Sequence, residues 1–471
     1  MGGLFGALNS SLDAIRSIQT ALQVSQNNVG NASTPGYARQ VVPMEAEAFN
    51  PQGGLTGGVS TGPLQSTQDE YVNQAVRSQL EMQGNASAQS SALSAIQPLF
   101  DVSGQSGVIG ALNNLFQSFS AWSTTPGTAA SQQDVLTKAQ ALAQTFQSAA
   151  ASLTQTTRAL NQKISSTVDQ INSIATDIRK ENVAIQQSSA PDAGLDAQLH
   201  ASLESLSQLA NVSVSFASDG TATVLLGGQT PLVLGAKQYQ IQASFTDPTP
   251  GPNANAVNDA HILDSSGQDV TSQVTEGSLG GYLTVRNTVL PSLQGNGQQQ
   301  GALNVLAQHV ADRVNQILTA GTTPSGAAGS ALFTYSASSP TAIAATLALD
   351  PNIAANKLAP VDGSSGNGAA MALANLGGST APVDQINGQT ILQFTSALAT
   401  QAGQQASDAQ NNQDLHTQLL AQARSLQTQI SGVSLDAEAV QVMELQKSYE
   451  AAGKTVSIIN SLTESLMNMV P

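Results

Sequence analysis

Residues 27–42 read NNVGNASTPGYARQVV. A regular helix cannot continue through this stretch, because Pro35 has a restricted φ angle and no backbone N–H, while Gly36 readily takes positive φ. A Pro-Gly pair at the two central positions is typical of a type II turn. The stretch therefore predicts a sharp change of chain direction, followed by what looks like an exposed Arg39-Gln40 pair.

The thirty residues before this turn have the pattern of a coiled-coil helix. Apolar residues recur at strict seven-residue spacing, with others at the intervening positions, which is typical of a helix that packs on a partner helix. Gly30 stands where a C-terminal cap glycine is expected, so we predict that the helix ends there. The regularly spaced residues are Leu8, Ile15, Leu22 and Val29, and the intervening ones are Leu4 and Ile18.

The last forty residues repeat the pattern. Ser434 is a suitable N-cap, and Asp436 and Glu438 lie in the first turn, where the helix dipole favours anions. Because a long helix with a one-sided apolar stripe needs a partner, we expect it to pair with the first helix. The line of apolar heptad residues along which two such helices pack is called the seam. Extra apolar residues beside the seam of the last helix suggest contacts with other molecules. The two heptad positions are occupied by Leu435, Val442, Tyr449 and Val456, and by Leu445, Ala452, Ile459 and Leu466.

The middle of the chain mixes helical and β patterns. Heptad spacing predicts a long helix over 128–188, and further helices are predicted over 301–319 and 389–430. Residues 212–226 alternate apolar and polar side chains around an Asp-Gly pair, which predicts a β-hairpin. We also predict strands over 238–246 and 281–286, whereas residues 321–385 are rich in Gly, Ala and Ser and give no clear prediction.

These patterns predict a mainly α fold: an elongated, multi-domain protein with terminal coiled-coil helices, a long-helix bundle and an inserted β-rich domain. The terminal domain would combine 1–36 with 434–471. The helix bundle would combine 37–205 with 290–433, and the β-rich domain would occupy 206–289.

Composition excludes several classes of function. Only 10% of the 471 residues are charged and the net charge is −16, which argues against nucleic acid and anionic membranes as partners. With no cysteine, the chain has no disulfide or zinc-thiolate site. The four histidines have no second ligand at metal-binding spacing, and a G-x-S-x-G match at 58–62 follows a loop rather than a strand. We expect no enzyme activity, no cofactor and no metal.

Both ends of the chain resemble the axial proteins of the bacterial flagellum, the family of rod, hook and hook-associated proteins. The closing stretch SGVSLDAEAVQVMELQKSYEAAGKTVSIINSLTESLMNMV resembles the family, and it and the GYARQ continuation are most similar to the hook-associated members. The turn residues that carry the resemblance are Asn27, Asn28, Asn31, Thr34, Pro35, Gly36, Tyr37, Arg39 and Gln40.

The resemblance implies a structural role at the hook–filament junction, required for filament assembly, in a ring of copies joined by helix packing. It further implies contacts with the hook protein and with hook-associated protein 3, and a type III export chaperone on the C-terminal helix. The expected location is extracellular, on the flagellum, after export without a cleavable signal peptide. Another axial protein, hook or distal rod, and a secreted enzyme carried on flagellar termini are the alternatives. The residues expected at the assembly interface are Leu8, Ile15, Leu22, Val29, Leu435, Val442, Leu445, Tyr449, Val456, Ile459 and Leu466.

Overall fold

The protein is described by a computed structural model that covers residues 2–48, 57–100, 106–188, 191–246 and 259–468. The fold is mainly helical, as the sequence predicted. The helices are α1 (Gly2–Asn31), α2 (Glu70–Ser94), α3 (Gly107–Thr124), α4 (Ala129–Gln187), α5 (Ala193–Leu209), α6 (Gly277–Thr284), α7 (Leu290–Gln294), α8 (Ala302–Ala320), α9 (Ile343–Thr346), α10 (Gly368–Asn375), α11 (Ile391–Ser431) and α12 (Leu435–Asn468).

The strands are short and all pair antiparallel. Strands β5 to β8 form a four-stranded sheet in sequence order, while the other pairs are β1–β4, β2–β3, β9–β10 and β11–β12. The predicted hairpin is confirmed as β5 and β6, with Gly220 at positive φ in its turn. The strands are β1 (Gln40–Val41), β2 (Met44–Ala46), β3 (Val59–Thr61), β4 (Gln65–Ser66), β5 (Val212–Phe216), β6 (Ala222–Leu226), β7 (Thr230–Leu234), β8 (Lys237–Gln238), β9 (Gln242–Ser244), β10 (His261–Leu263), β11 (Phe333–Thr334) and β12 (Ala348–Leu349).

The turn after α1 has the predicted geometry. The Thr34 carbonyl accepts a hydrogen bond of 3.2 Å from the Tyr37 N–H, and Gly36 has a φ of 74°. The prediction that Gly30 caps the helix is wrong: Gly30 lies inside α1, without positive φ. The left-handed residue is instead Gly36, because the chain reverses at the Pro-Gly pair.

Helix α4 runs along two hydrophobic clusters. Its first half contributes Phe146 and Leu153 to a cluster with α3, α8, α10 and the start of α11. Its second half contributes Ile171 and Ile178 to a cluster with α5 and the four-stranded sheet. Its 59 residues span about 88 Å at 1.5 Å per residue. The sheet therefore shares its core with α4 and α5, and the division of the chain into the three predicted domains stays a prediction.

The predicted strand over 281–286 is wrong. These residues belong to α6 and to a π-helical turn, Val285–Val289, that continues it. A Cβ on Gly281 would lie 2.4 Å from the Asn85 carbonyl oxygen of α2, so the two helices approach closely at this glycine. Helix packing thus overrides the local preference of β-branched residues for strands.

The segment that gave no clear prediction, 321–385, completes the first hydrophobic cluster. It forms β11, α9, β12 and α10 with short 3₁₀ turns between them. Leu332, Leu347 and Leu373 are fully buried in the cluster. The segment is therefore packed structure rather than a linker, although its small residues carry little periodic signal.

Candidate assembly interface

The two ends of the chain pack together as an antiparallel pair of helices, α1 and α12. The Gln19 Nε2 atom donates to the Tyr449 hydroxyl at 3.3 Å, and the Asn28 Nδ2 atom lies 3.3 Å from Oε1 of Glu438. The later residue of α1, Asn28, contacts the earlier residue of α12, Glu438. The two helices therefore run in opposite directions. The pairing of the termini expected from their heptads is present in the structure.

On α12 the predicted seam residues differ in how far α1 covers them. Ile459 is buried, and Val442, Leu445 and Val456 are partly buried. The other predicted members are more exposed. They are Leu435 at 55%, Tyr449 at 39% and Leu466 at 45% exposure.

On α1 the predicted intervening residue Ile18 is buried, but the burial is centred one position away from the predicted seven-residue repeat. The deepest side chains are small or polar, whereas Leu8, Ile15 and Leu22 are partly buried and Val29 is 42% exposed. Small side chains allow neighbouring backbone to approach closely: the Ser17 hydroxyl donates to the Val59 carbonyl of β3. Apolar spacing could not reveal this face, since most of its members are not large hydrophobes. Apart from Gly6, the buried residues of α1 are Ser17, Ile18, Ala21, Ser25 and Asn28.

The side of α12 opposite its seam also carries large apolar residues. Successive residues of an α-helix are turned by about 100°, so positions two residues apart lie on nearly opposite sides. Val440, Met443 and Ile458 fall on this opposite face, Leu462 lies on the flank between it and the seam, and all four are 51–61% exposed. We call these four residues the outer stripe. Within the single chain it remains open to solvent.

The turn motif forms one hydrogen-bonded network. The side chain of Asn28 pairs with the backbone of Gln40 through two bonds of 2.9 Å, and its Oδ1 also accepts from the Tyr37 hydroxyl at 2.9 Å. Asn31 donates to the Asn27 carbonyl at 3.0 Å. Burial raises the pKa of Tyr37 above its ordinary value, and the negative charge of Glu438 adds a smaller increase. The structure thus brings the motif residues together and gives Asn28 the central position.

Arg39 and Glu438 form an ion pair that the sequence interpretation missed. The Arg39 Nε atom lies 2.6 Å from Glu438 Oε1, and the Arg39 Nη2 atom lies 2.8 Å from Gln441 Oε1. Gln40 is only 7% exposed, so the prediction of an exposed Arg39-Gln40 pair is wrong for Gln40. Glu438 is fully buried and paired with Arg39, so its role is more than a favourable charge at the start of a helix. One signal was present in the sequence: Glu438 lies four residues before Val442 and seven before Leu445, on the seam itself.

The G-x-S-x-G match does not have the strand-turn-helix geometry of a nucleophile elbow. Ser60 of the G-x-S-x-G match lies in β3, which pairs with β2 and is followed by further extended chain, not a helix. Across the described ranges no group of three or more His, Asp or Glu is placed to hold a metal ion. No helix in the described part of the chain has both the length and the apolar character needed to cross a bilayer.

Paired terminal helices on a long-helix body are the architecture of a structural subunit, and comparison with known families places it in the flagellum. A family model for the flagellar hook-associated protein FlgK helical domain matches residues 93–333, and one for the flagellar basal body rod FlgEFG protein C-terminal region matches 427–469. The chain belongs to the FlgK family of flagellar hook-associated proteins, and the resemblance stated from its two ends is confirmed.

Individual relatives agree with this assignment. Flagellar hook-associated protein 1 of Bacillus subtilis is 24% identical over 99% of both chains. The same-named protein of Escherichia coli is 26% identical, in a match that covers 69% of this chain and 59% of the relative. The solved structure of the flagellar hook junction protein FlgK from Burkholderia pseudomallei shares the fold, with a TM-score of 0.62 and 18% identity over 76% of this chain and 100% of that one.

Proposed function

We propose that this chain is a structural subunit that assembles with copies of itself at the hook–filament junction, and that this association is required for a filament to form on the hook. The observation that carries the proposal is the outer stripe of α12. Its apolar side chains are half or more exposed although the helix already has one partner. Burial of such side chains is worth roughly 1.5–3 kcal/mol each, so a second helix in contact with them would be held firmly.

The exposed surface of the terminal pair has more than one apolar region. On α1, Phe5 is 56% exposed and Leu12 is 38% exposed. On α12, Leu466 and Met467 add to the apolar surface near the end of the described helix. Contacts between copies through these residues, together with the exposed seam members Val29, Leu435 and Tyr449, would complete the interface predicted from the sequence.

Uncharged surfaces suit dense packing of identical copies. Helix α11 carries three formal charges over its 41 residues, Asp408, Asp414 and Arg424, while Leu415, Leu426 and Ile430 are 46–49% exposed. Neighbouring copies could bury such a surface with little desolvation of charge. Helix α11 and the outer stripe of α12 would then both lie within the ring.

The same exposed residues support the proposed partners. The hook protein on one side and hook-associated protein 3 on the other would meet the ring of copies. Before assembly a type III export chaperone would cover the apolar face of α12, because an exposed stripe of this kind favours aggregation. Export would proceed without a cleavable signal peptide, and the mature location would be extracellular.

No catalytic step is part of the proposal. The family is structural, and the proposal needs only contacts between helices. Another axial protein, hook or distal rod, is not favoured because the body of the chain matches the hook-associated family. The three predicted domains, terminal, helix-bundle and β-rich, would all serve as structural elements of the subunit.

A replacement experiment in cells tests the proposal. In a strain that lacks the native gene, the unchanged chain should restore filaments, whereas Ile458→Asp with Leu462→Asp should leave bare hooks and flagellin in the medium. Ser457→Asp adds a charge on an exposed flank beside the stripe and should assemble normally. Filaments of normal number and length on the doubly substituted chain would contradict the proposal.

A further inference from the structure

Helix α12 has apolar residues on two faces, the regular one that packs on α1 and a second one that stays exposed. One is the seam, whose members recur at alternating spacings of four and three residues, as in a coiled coil. The other is the outer stripe, nearly opposite, which has Lys447 and Lys454 between its apolar residues. The seam members are Glu438, Val442, Leu445, Tyr449, Ala452, Val456, Ile459 and Thr463.

Glu438 is the charged member of the seam. Its side chain is fully buried at the end of the α1–α12 contact, where Arg39 provides the opposite charge at 2.6 Å. Its second oxygen, Oε2, is buried without a hydrogen-bond partner. A buried carboxylate is tolerated only where its charge is compensated, so Glu438 ties one rotation of α12 to the position of Arg39.

Arg39 is itself held in place from both sides. Its backbone N–H donates to the Ser431 carbonyl at 2.9 Å, next to the three-residue connection between α11 and α12. Its carbonyl accepts from the Thr67 N–H at 2.9 Å. The guanidinium therefore projects from a backbone that is anchored to the body of the protein. Rotation of α12 cannot carry Arg39 with it.

Asn28 gives the same constraint from α1. Its amide contacts Glu438 at 3.3 Å, while its two bonds to the Gln40 backbone fix the rotation of α1 relative to β1. The other apolar face of α12 would place Val440 or Met443 against this polar group, and would turn Lys447 and Lys454 towards α1. Such a face would leave Arg39 and Asn28 without their carboxylate.

We propose that Arg39, Asn28 and Glu438 select the face of α12 that packs on the chain's own α1, and thereby keep the outer stripe free. Arg39 and Asn28 act as positioning residues. The choice of face concerns the single chain. Only the use of the freed stripe by a neighbouring copy rests on the function proposed above.

The cysteine-free sequence allows a direct test by cross-linking of the purified chain. Gln19→Cys with Tyr449→Cys reports the observed face, because these side chains are in contact. Gln19→Cys with Ala451→Cys reports the opposite face. With a short bis-maleimide, the first pair should give much more cross-linked product than the second, and the product should run as a monomer on a denaturing gel.

Arg39→Glu should lower the ratio of the first product to the second by about tenfold or more, because it opposes a buried carboxylate. Combining Arg39→Glu with Glu438→Arg should restore the original ratio. Arg16→Glu is the matched control, since Arg16 is an exposed arginine of α1, and it should change nothing. Protection of the α11 amides 395–409 from hydrogen exchange verifies that each variant keeps its body folded.

Two results would overturn the inference: an unchanged ratio in the folded Arg39→Glu chain, or no recovery in the charge-exchanged chain. Either would mean that apolar packing alone chooses the face. The cross-links are formed in the isolated chain, so they do not depend on assembly. A variant with the normal ratio that still forms no junction would count against the proposed function and leave this inference standing.

Discussion

Gly36 touches the backbone of Ala197 in α5 so closely that a methyl group on its α-carbon would lie 2.2 Å from the Ala197 carbonyl oxygen. With a φ of 74° as well, Gly36 cannot be replaced without strain. This contact joins the turn behind the terminal helices to the helical body. It explains why the Thr-Pro-Gly sequence stands at this point in the chain.

Gly36→Ala should therefore destabilise the contact between the turn after α1 and helix α5. We expect a loss of about 2 kcal/mol or more, from left-handed strain and the clash together. Gly30→Ala is the matched control: it lies in a helix with no atom within 4 Å of the new methyl group, and should be neutral or stabilising. Urea unfolding and amide exchange over 28–40 measure both. Equal stability of the two variants would contradict this account.

Leu445→Asp should separate the terminal helices without unfolding the body. A partly buried seam position would then carry a charge with no partner, at a cost of about 2–4 kcal/mol to the α1–α12 contact. Hydrogen exchange should become fast over 4–31 and 435–468 and stay slow in α3 and α4. Gln446→Asp, one residue away and exposed, should leave exchange in the terminal helices unaltered. The idea fails if α3 loses protection together with the termini.

Asn182 holds the four-stranded sheet onto α4. Its amide donates to the carbonyls of Ala222 and Gly235 and accepts from the Ala222 N–H, at 2.8–2.9 Å, and the residue is fully buried. Asn182→Ala would remove the partners of three backbone groups, so we expect a loss of about 2–4 kcal/mol. Protection should fall across 212–241.

The neighbouring exposed ion pair supplies the control for Asn182. Lys180 pairs with Asp177 on the surface of the same helix at 2.7 Å. Such pairs contribute about 0–1 kcal/mol, so Lys180→Ala should have little effect on thermal unfolding. Comparable losses in both variants would mean that helix propensity, rather than the bonds to the sheet, explains the result.

The α2–α5 contact should make stability depend on pH. Burial raises the pKa of Glu81 to about 7 and that of Asp196 to about 6, with the charges of Glu276 and Glu70 adding to the respective effects. The folded state binds the protons of these two carboxyl groups more tightly than the unfolded state does. Their contribution to the free energy of unfolding is therefore complete below the pKa of an unperturbed carboxyl group, and it is lost as the pH rises through 6 and 7. His200 acts in the opposite sense: burial lowers its pKa to about 4, and its contribution is lost as pH falls from 6.5 to 4.

Glu81→Gln isolates the carboxylate part of this dependence. The amide can still accept the hydrogen bond from the Val212 N–H, which is 2.9 Å long in the native chain, but it does not ionise. We expect the decline in unfolding free energy between pH 5 and 8 to shrink by roughly 2 kcal/mol. Urea unfolding at several pH values measures the slope, with the exposed Glu444→Gln as control. A slope identical to that of the parent chain would rule out Glu81 as the source.

Much of the helical architecture could be predicted because long amphipathic helices repeat their signal many times. Helix α4 was placed within a residue or two from its heptads, and the hairpin from its alternation around Asp219-Gly220. The stretch 281–286 could not be predicted, because the close approach of Gly281 to α2 is a tertiary contact. The small-residue packing of 321–385 left no periodic signal for the same reason.

The candidate interface was predicted less completely than the fold. Large apolar spacing found the seam of α12, but the buried face of α1 consists of Ser17, Ala21, Ser25 and other residues that hydrophobicity does not highlight. Arg39 and Glu438 are separated by 399 residues, so their pairing became visible only in three dimensions. The rule that a charged residue in a seam requires a partner would have marked Glu438, but not its partner.

The unbroken course of α4 has a mechanical consequence. Both hydrophobic clusters pack against the same continuous helix, α4. Shear or twist between the clusters must therefore bend this helix or break its backbone hydrogen bonds one after another. Load applied at one end of the helix is therefore transmitted to the other with little compliance.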